Sequence, residues 1–164
     1  MSYEYIGLKP TPQQLQTIAF MLRNKRGYNF SDMGSGKTAS SLWATDMLLA
    51  AKKISKVLII CPLSLMRFVW AAEIEKILPH RTYAIIHGHK IKRSQLLALD
   101  VDFYIINHDG PKHSMDMLIK YDFDVVIVDE VCSHTIKYIS LSFLQNLIYT
   151  KQIIDFSHII SDNI

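Results

Sequence analysis

Residues 28–41 read Y-N-F-S-D-M-G-S-G-K-T-A-S-S. Their order decides the fold: a strand-like run at 28–30, a loop holding Gly34 and Gly36, then Lys37, Thr38 and a helical run over 39–51. Such a loop is built to hold phosphate. Glycines lack the Cβ that would keep backbone N–H groups away from phosphate oxygens. The first turn of the helix adds unpaired N–H donors and the positive end of its dipole. In this pattern Lys37 places a charge on the β- and γ-phosphates, and the Thr38 hydroxyl ligates Mg2+. The general phosphate-loop pattern carries an earlier glycine at the position that here is Ser31, while the shorter G-x-G-K-T core is intact. A glycine-rich turn capping an ordinary helix, with Lys37 merely solvated, has the same local composition. The strand ahead and the helix behind favour the phosphate loop.

At 164 residues, 49% hydrophobic and 20% charged, the chain has the make-up of one globular α/β domain rather than a disordered segment. A net charge of +3 permits a nucleic-acid partner without demanding one. Cys61 and Cys132 each end an apolar run and read as buried free thiols, with no disulfide framework or zinc cluster in view. The histidines show no metal-ligand spacing with cysteine or carboxylate partners, and His87 and His89, flanking a glycine at a strand end, read as a surface loop. The N-terminus lacks the layout of a signal peptide, and no apolar run reaches membrane-spanning length. A cytoplasmic protein without a membrane partner is therefore the expectation.

Residues 8–24 read as a helix beginning at Thr11, with Thr11 as N-cap, Pro12 at the first helical position and Gln14 completing a capping box. Leu15, Ile18, Ala19 and Leu22 follow at helical spacing. Residues 56–62, K-V-L-I-I-C-P, suit a strand buried on both faces. Helices are predicted over 64–78, 89–99 and 115–120, and strands over 82–87, 102–107 and 123–130. Leu141, Leu144 and Ile148 suggest a further helix, and residues 152–156 a further strand. Strands alternating with helices imply right-handed βαβ units in a mainly parallel sheet, with a single domain over 1–164.

The run F-D-V-V-I-V-D-E at 123–130 ends an apolar strand with two adjacent carboxylates. Ligands of an open parallel sheet sit beyond the carboxyl ends of its strands, so Asp129 and Glu130 should emerge on the rim that carries the phosphate loop. Asp129 then helps to hold Mg2+ through a bound water, and Glu130 orients and polarises the attacking water.

Together these residues resemble the first RecA-like domain of superfamily-two helicases, most closely its Swi/Snf-type branch in forms common among phage proteins. The likeness covers residues 8–137. L-K-P-T-P-Q-Q is similar to the family's leading glutamine motif, which puts Gln14, ahead of Gln13, in the adenine-reading place. D-M-G-S-G-K-T resembles motif I and assigns Met33, Gly34, Ser35, Gly36, Lys37 and Thr38 to the nucleotide; this branch does not require the early glycine. I-I-C-P-L-S-L, followed by Trp70 and Glu73, resembles motif Ia, whose segment lies along the DNA backbone and includes Pro62 and Ser64. I-I-N-H-D resembles the motif Ib region and adds Asn107 to the nucleic-acid side. V-I-V-D-E-V-C is similar to the Asp-Glu-Ala-His box with Val131 and Cys132 replacing its last two residues, and Ile136 and Lys137 fit the Ile-Lys that follows, with Lys137 on the nucleic acid.

This resemblance implies a RecA-like P-loop fold, a three-layer α/β/α sandwich with a mainly parallel sheet. It also implies ATP and Mg2+ as cofactors, DNA as partner and hydrolysis completed by a second RecA-like domain, which a separate polypeptide could carry. If the chain is phage-encoded, its place is the host cytoplasm. After Lys137 the likeness fades and no Ser/Thr-Gly-Thr motif III follows, so the chain reads as an N-terminal piece, a split product or a truncated relative. Two other classes stand beside the motor: a non-catalytic nucleotide- or DNA-binding module that modulates a full-length helicase, and a P-loop nucleotide kinase. The kinase is disfavoured because no arginine-rich lid segment is present among Arg23, Arg26, Arg67, Arg81 and Arg93.

Overall fold

The computed structural model describes residues 3–24, 26–29, 34–129 and 152–156. The readings placed on Ser31, Met33, Glu130, Val131, Cys132, Ile136 and Lys137, and the helix suggested over 141–148, lie outside the described residues. Helix α1 (Pro12–Arg23) leads to β1 (Arg26–Tyr28), α2 (Lys37–Ala50) and β2 (Val57–Cys61). A π-helical turn (Met66–Ala71) runs into α3 (Ala72–Ile77), followed by β3 (Tyr83–Ile86), α4 (Lys90–Leu97), β4 (Phe103–Asn107), α5 (Gly110–Lys120), β5 (Val125–Asp129) and β6 (Gln152–Phe156).

The six strands form one sheet in the order β1-β6-β5-β2-β4-β3, and every adjacent pair is parallel. Crossover handedness then assigns the faces. The connections β1→α2→β2 and β2→α3→β3 step across the sheet in one direction, and β3→α4→β4 and β4→α5→β5 step in the other. Right-handed crossovers in opposite directions place their helices on opposite faces. The core follows that division. Leu42 of α2, Trp70 of the π turn and Ile74 of α3 pack with Val57, Ile59, Phe103, Ile105, Val125 and Ile127 on one face. Leu97 of α4 and Leu118 of α5 pack with Leu58, Ile60, Tyr104, Ile106, Val126 and Val128 on the other. The three-layer α/β/α sandwich expected from the sequence is thus the fold. Strand β2 is fully buried along its length, as the Val-Leu-Ile-Ile-Cys run predicts, and each such aliphatic side chain contributes about 1.5–3 kcal/mol of hydrophobic stabilisation. Cys61 is fully buried. Among the described residues, no helix is long and apolar enough to cross a membrane.

Several elements differ from their predicted bounds. Strand β1 lies at 26–28 rather than 28–30, with Phe30 outside the described residues; it is an edge strand whose register is set by β6, Arg26 opposite Ile153. Helix α5 begins at Gly110 rather than Met115, because Pro111 in the first helical turn has a pre-set φ and no N–H to lose. The single helix read over 64–78 opens instead with the π turn.

At the amino end of the sheet a buried acid ties the layers together. Asp46, near the end of α2, is 1% exposed. It accepts from Arg81 Nε at 2.6 Å, lies 3.1 Å from His80 Nε2 and accepts from the Tyr3 hydroxyl. Arg81 Nη1 also reaches Asp102 at 3.3 Å, and Asp102 in turn accepts from the Thr82 amide at 2.8 Å and its hydroxyl at 2.9 Å. Burial first, and then the bond to Asp46, push the Tyr3 phenol well above its ordinary pKa, so it stays a donor.

Candidate active site

Because all strands are parallel, their carboxyl ends open on one rim. That rim carries the loop after β1 with Lys37 and Thr38, Pro62 and Ser64 after β2, Asn107 at the end of β4 and Asp129 at the end of β5. This is where an open α/β sheet places its ligands.

The loop has the backbone that its glycines predict. Gly34 (φ +79°) and Gly36 (φ +77°) are left-handed, and Gly36 is the N-cap of α2. The helix therefore starts at Lys37, two residues earlier than the sequence reading. Ser40 N donates to Gly36 O at 2.9 Å, so the N–H groups of residues 37–39 precede the first bond of the helix ladder. The Ser35 hydroxyl is buried without a hydrogen-bond partner among the described residues. Ser40 and Ser41 turn their hydroxyls back onto the carbonyls of Gly36 and Lys37. No hydrogen bond of that kind ties Thr38 among the described residues.

Gln14 meets the loop directly. Its Oε1 accepts from the Thr11 amide at 2.8 Å, while Thr11 Oγ1 accepts from the Gln14 amide at 3.3 Å, which closes the capping box. With one end so fixed, the amide nitrogen lies against Gly36: a Cβ on that glycine would stand 2.1 Å from Gln14 Nε2. Positive φ and this approach together make position 36 a glycine position. Gln13, Thr17, Asn29, Ser35, Lys37 and Ser40 line the narrow crevice alongside, so both glutamines border the phosphate loop.

Across the rim, Asp129 is half-buried. The indole Nε1–H of Trp70 donates to its Oδ2 at 2.8 Å. His108 Nε2 lies 2.8 Å from its backbone carbonyl, a contact that requires the proton on Nε2. Neither Trp70 nor His108 was given this part by the sequence. Trp70 stood with the DNA-facing motif, yet it is fully buried, and no local pattern links it to a strand end 59 residues away. Of the residues that resemblance assigns to nucleic acid, Ser64 is exposed and Pro62 half-buried. The Asn107 side chain is 8% exposed, and its Oδ1 has no hydrogen-bond partner among the described residues. His89 caps α4 by accepting from Lys92 N at 3.4 Å.

A nucleotide with Mg2+ suits these groups. Left-handed glycines, a helix start, the Ser35 hydroxyl and Lys37 are the kinds of group that phosphate oxygens take as donors. Among the described residues no three His, Cys, Asp or Glu side chains gather as a metal cage. Mg2+ seldom uses such a cage: one or two protein oxygens, waters and substrate phosphates are its usual shell.

The sequence model of the SNF2-related domain matches residues 13–154. No curated protein matches the chain. Among solved structures, the chain is similar to the SWI2/SNF2 ATPase core of Sulfolobus solfataricus in complex with dsDNA, with a TM-score of 0.70 and 20% identity over 89% of this chain and 31% of that one. It is likewise similar to the SWI2/SNF2 ATPase core domain of the same organism, with a TM-score of 0.71 and 18% identity over 94% and 32%. The chain thus spans about a third of the length of those cores, and at such identities the likeness speaks for the fold.

Proposed function

The chain belongs to the SNF2-related domain family, an ATPase and helicase-type motor domain, and on that premise we propose that its phosphate loop binds Mg·ATP and that ATP is hydrolysed when a second RecA-like domain completes the cleft. The observation that carries this reading is the fit of Gln14 onto Gly36, which joins the adenine-side motif to the phosphate loop. Lys37 sets its ammonium on the β- and γ-phosphates, and the helix-start amides with Ser35 hold the remaining oxygens. Thr38 and Asp129 would hold the metal, Asp129 through a bound water. Glu130 orients and polarises the attacking water. Mg2+, when bound, neutralises charge on the phosphates.

Replacing Lys37 with Ala tests the site. One charge-assisted contact is worth about 1.5–3 kcal/mol, so the dissociation constant for Mg·ATP should rise roughly 10- to 150-fold with the circular dichroism spectrum unchanged. Equal affinity in variant and parent, by calorimetry, sinks the assignment.

DNA is the proposed partner, bound along the rim segment that includes Pro62 and Ser64, with Lys137 assigned to the same partner by resemblance. A net charge of +3 supports only a few phosphate contacts. Fluorescence anisotropy across a salt series should give weak, sequence-independent binding, with a log–log slope of roughly −2 to −4 for a handful of neutralised phosphates. Tight binding indifferent to salt contradicts it.

A further inference from the structure

Trp70 is one of two tryptophans, and both are buried: Trp43 is 3% exposed and Trp70 0%. Their indole N–H groups fare differently. Trp43 Nε1 has no hydrogen-bond partner among the described residues, so burial alone does not force a tryptophan of this fold into a polar bond. Trp70 Nε1 donates to Asp129 Oδ2 at 2.8 Å. Its backbone stands in the π turn, a geometry that is rare and concentrated at functional sites. That turn faces solvent at Phe68, 80% exposed, and sends Trp70 inward beneath the rim among Cys61, Phe103 and Ile105. Asp129, the last residue of β5, is held by its backbone as well, opposite Phe156 of β6 and against His108.

We infer that Trp70 is a positioning residue for the metal-side carboxylate: its indole N–H fixes the rotation of the Asp129 side chain so that the carboxylate meets the Mg2+ of a bound nucleotide already oriented. The inference rests on the proposed function above. An indole N–H suits this task because it only donates, does not titrate and cannot ligate a metal itself. Outer-shell hydrogen bonds orient the groups that hold a metal, here a carboxylate on a metal-bound water, and their loss typically lowers metal affinity about 10- to 100-fold. Two residues separated by the whole β3–β4 unit thus act together, the segment that resembles motif Ia serving the nucleotide side of the rim through its buried tryptophan.

The test compares the parent chain, Trp70→Phe and Trp43→Phe, the last being a similar loss from a second buried site. Three quantities are measured: ADP affinity in EDTA by calorimetry, Mn2+ affinity at saturating ADP by electron paramagnetic resonance, and the thermal midpoint. Mn2+ stands in for Mg2+ because both favour oxygen ligands. Trp70→Phe should lose about 10- to 100-fold in Mn2+ affinity while its ADP affinity in EDTA stays within about twofold of the parent. Trp43→Phe should keep the parent's Mn2+ affinity even where its midpoint falls as far. Mn2+ affinity unchanged in Trp70→Phe, or lowered equally in both variants, overturns the inference alone. A parent that binds no ADP in EDTA overturns the phosphate-loop reading, and this inference with it. Should Trp70→Phe fail to fold, the parent decides: saturating Mg·ADP should move the indole N–H resonance of Trp70 and leave that of Trp43 in place, and an unmoved Trp70 resonance overturns the positioning role.

Discussion

Asp46→Ala is expected to destabilise the fold by about 3 kcal/mol, lowering the thermal midpoint by roughly 6–12 °C for a domain of this size. The carboxylate is 2% exposed and faces Arg81, His80 and Tyr3. Removing one member of a buried ion pair leaves the other desolvated and without its charge partner, which typically costs about 3–5 kcal/mol. The lower end applies because Arg81 is 17% exposed and keeps Asp102. Two further donors, the Tyr3 hydroxyl and the His80 ring, would also face an apolar methyl where an acceptor had been. Urea unfolding reads the effect as a lower midpoint with an unchanged m-value. Nucleotide affinity should survive where the variant is folded, since the cluster lies at the amino end of the sheet and the phosphate loop at the carboxyl rim. A loss below about 1 kcal/mol would show that solvent already screens the cluster.

How much of this was legible before any coordinates depends on how local the cause is. The phosphate loop is written in consecutive residues: Gly36 must be left-handed, Lys37 must follow, and a helix must start there, so loop and helix could be read directly. The capping box of α1 is equally local, Thr11 and Gln14 being three residues apart. Strands β2, β4 and β5 are near-continuous apolar runs because both of their faces are covered, and they were read to within a residue or two at each end. Strand β1 shows the other case. A three-residue edge strand has little pattern of its own, and its register comes from β6, far along the chain.

The site was legible residue by residue but not as an arrangement. Gln14 could be read as a cap from its spacing and as a nucleotide residue from resemblance; that the capped side chain also lodges against Gly36 is a tertiary fact. Trp70 and His108 converge on Asp129 from two different connections, and no periodicity encodes that convergence. The π turn is similarly silent in sequence, since an i→i+5 bond has no residue signature comparable to a capping box. Asn107, placed on the nucleic-acid side by resemblance, lies largely inside because the last position of β4 is covered from above by Gly110, whose Cβ would come within 3.3 Å of its Oδ1.

Single-turnover hydrolysis of Mg·ATP by the 164-residue chain alone is expected to run roughly 10³–10⁵ slower than by a motor with its arginine finger in place. Phosphoryl transfer needs positive charge on the far side of the γ-phosphate, opposite the phosphate loop. All five arginines are described, and each is placed elsewhere. Arg23 closes α1 and Arg26 opens β1. Arg67 stands in the π turn after β2. Arg81 is held by Asp46 and Asp102, and Arg93 Nη1 reaches the Ser114 hydroxyl at 3.4 Å. No arginine lines the crevice beside Lys37. Binding and hydrolysis should therefore separate, with Mg·ATP held through the loop and turned over only slowly. The measurement uses saturating Mg·ATP, with and without DNA, across a range of protein concentrations. A second RecA-like domain added in trans should raise the rate by that same factor. If the rate instead climbs with protein concentration alone, a second copy of the chain is the source of the arginine. A rate near one per second, the order typical of competent enzymes, stimulated by DNA and independent of protein concentration, would mean that this chain completes its own site and that the finger argument fails.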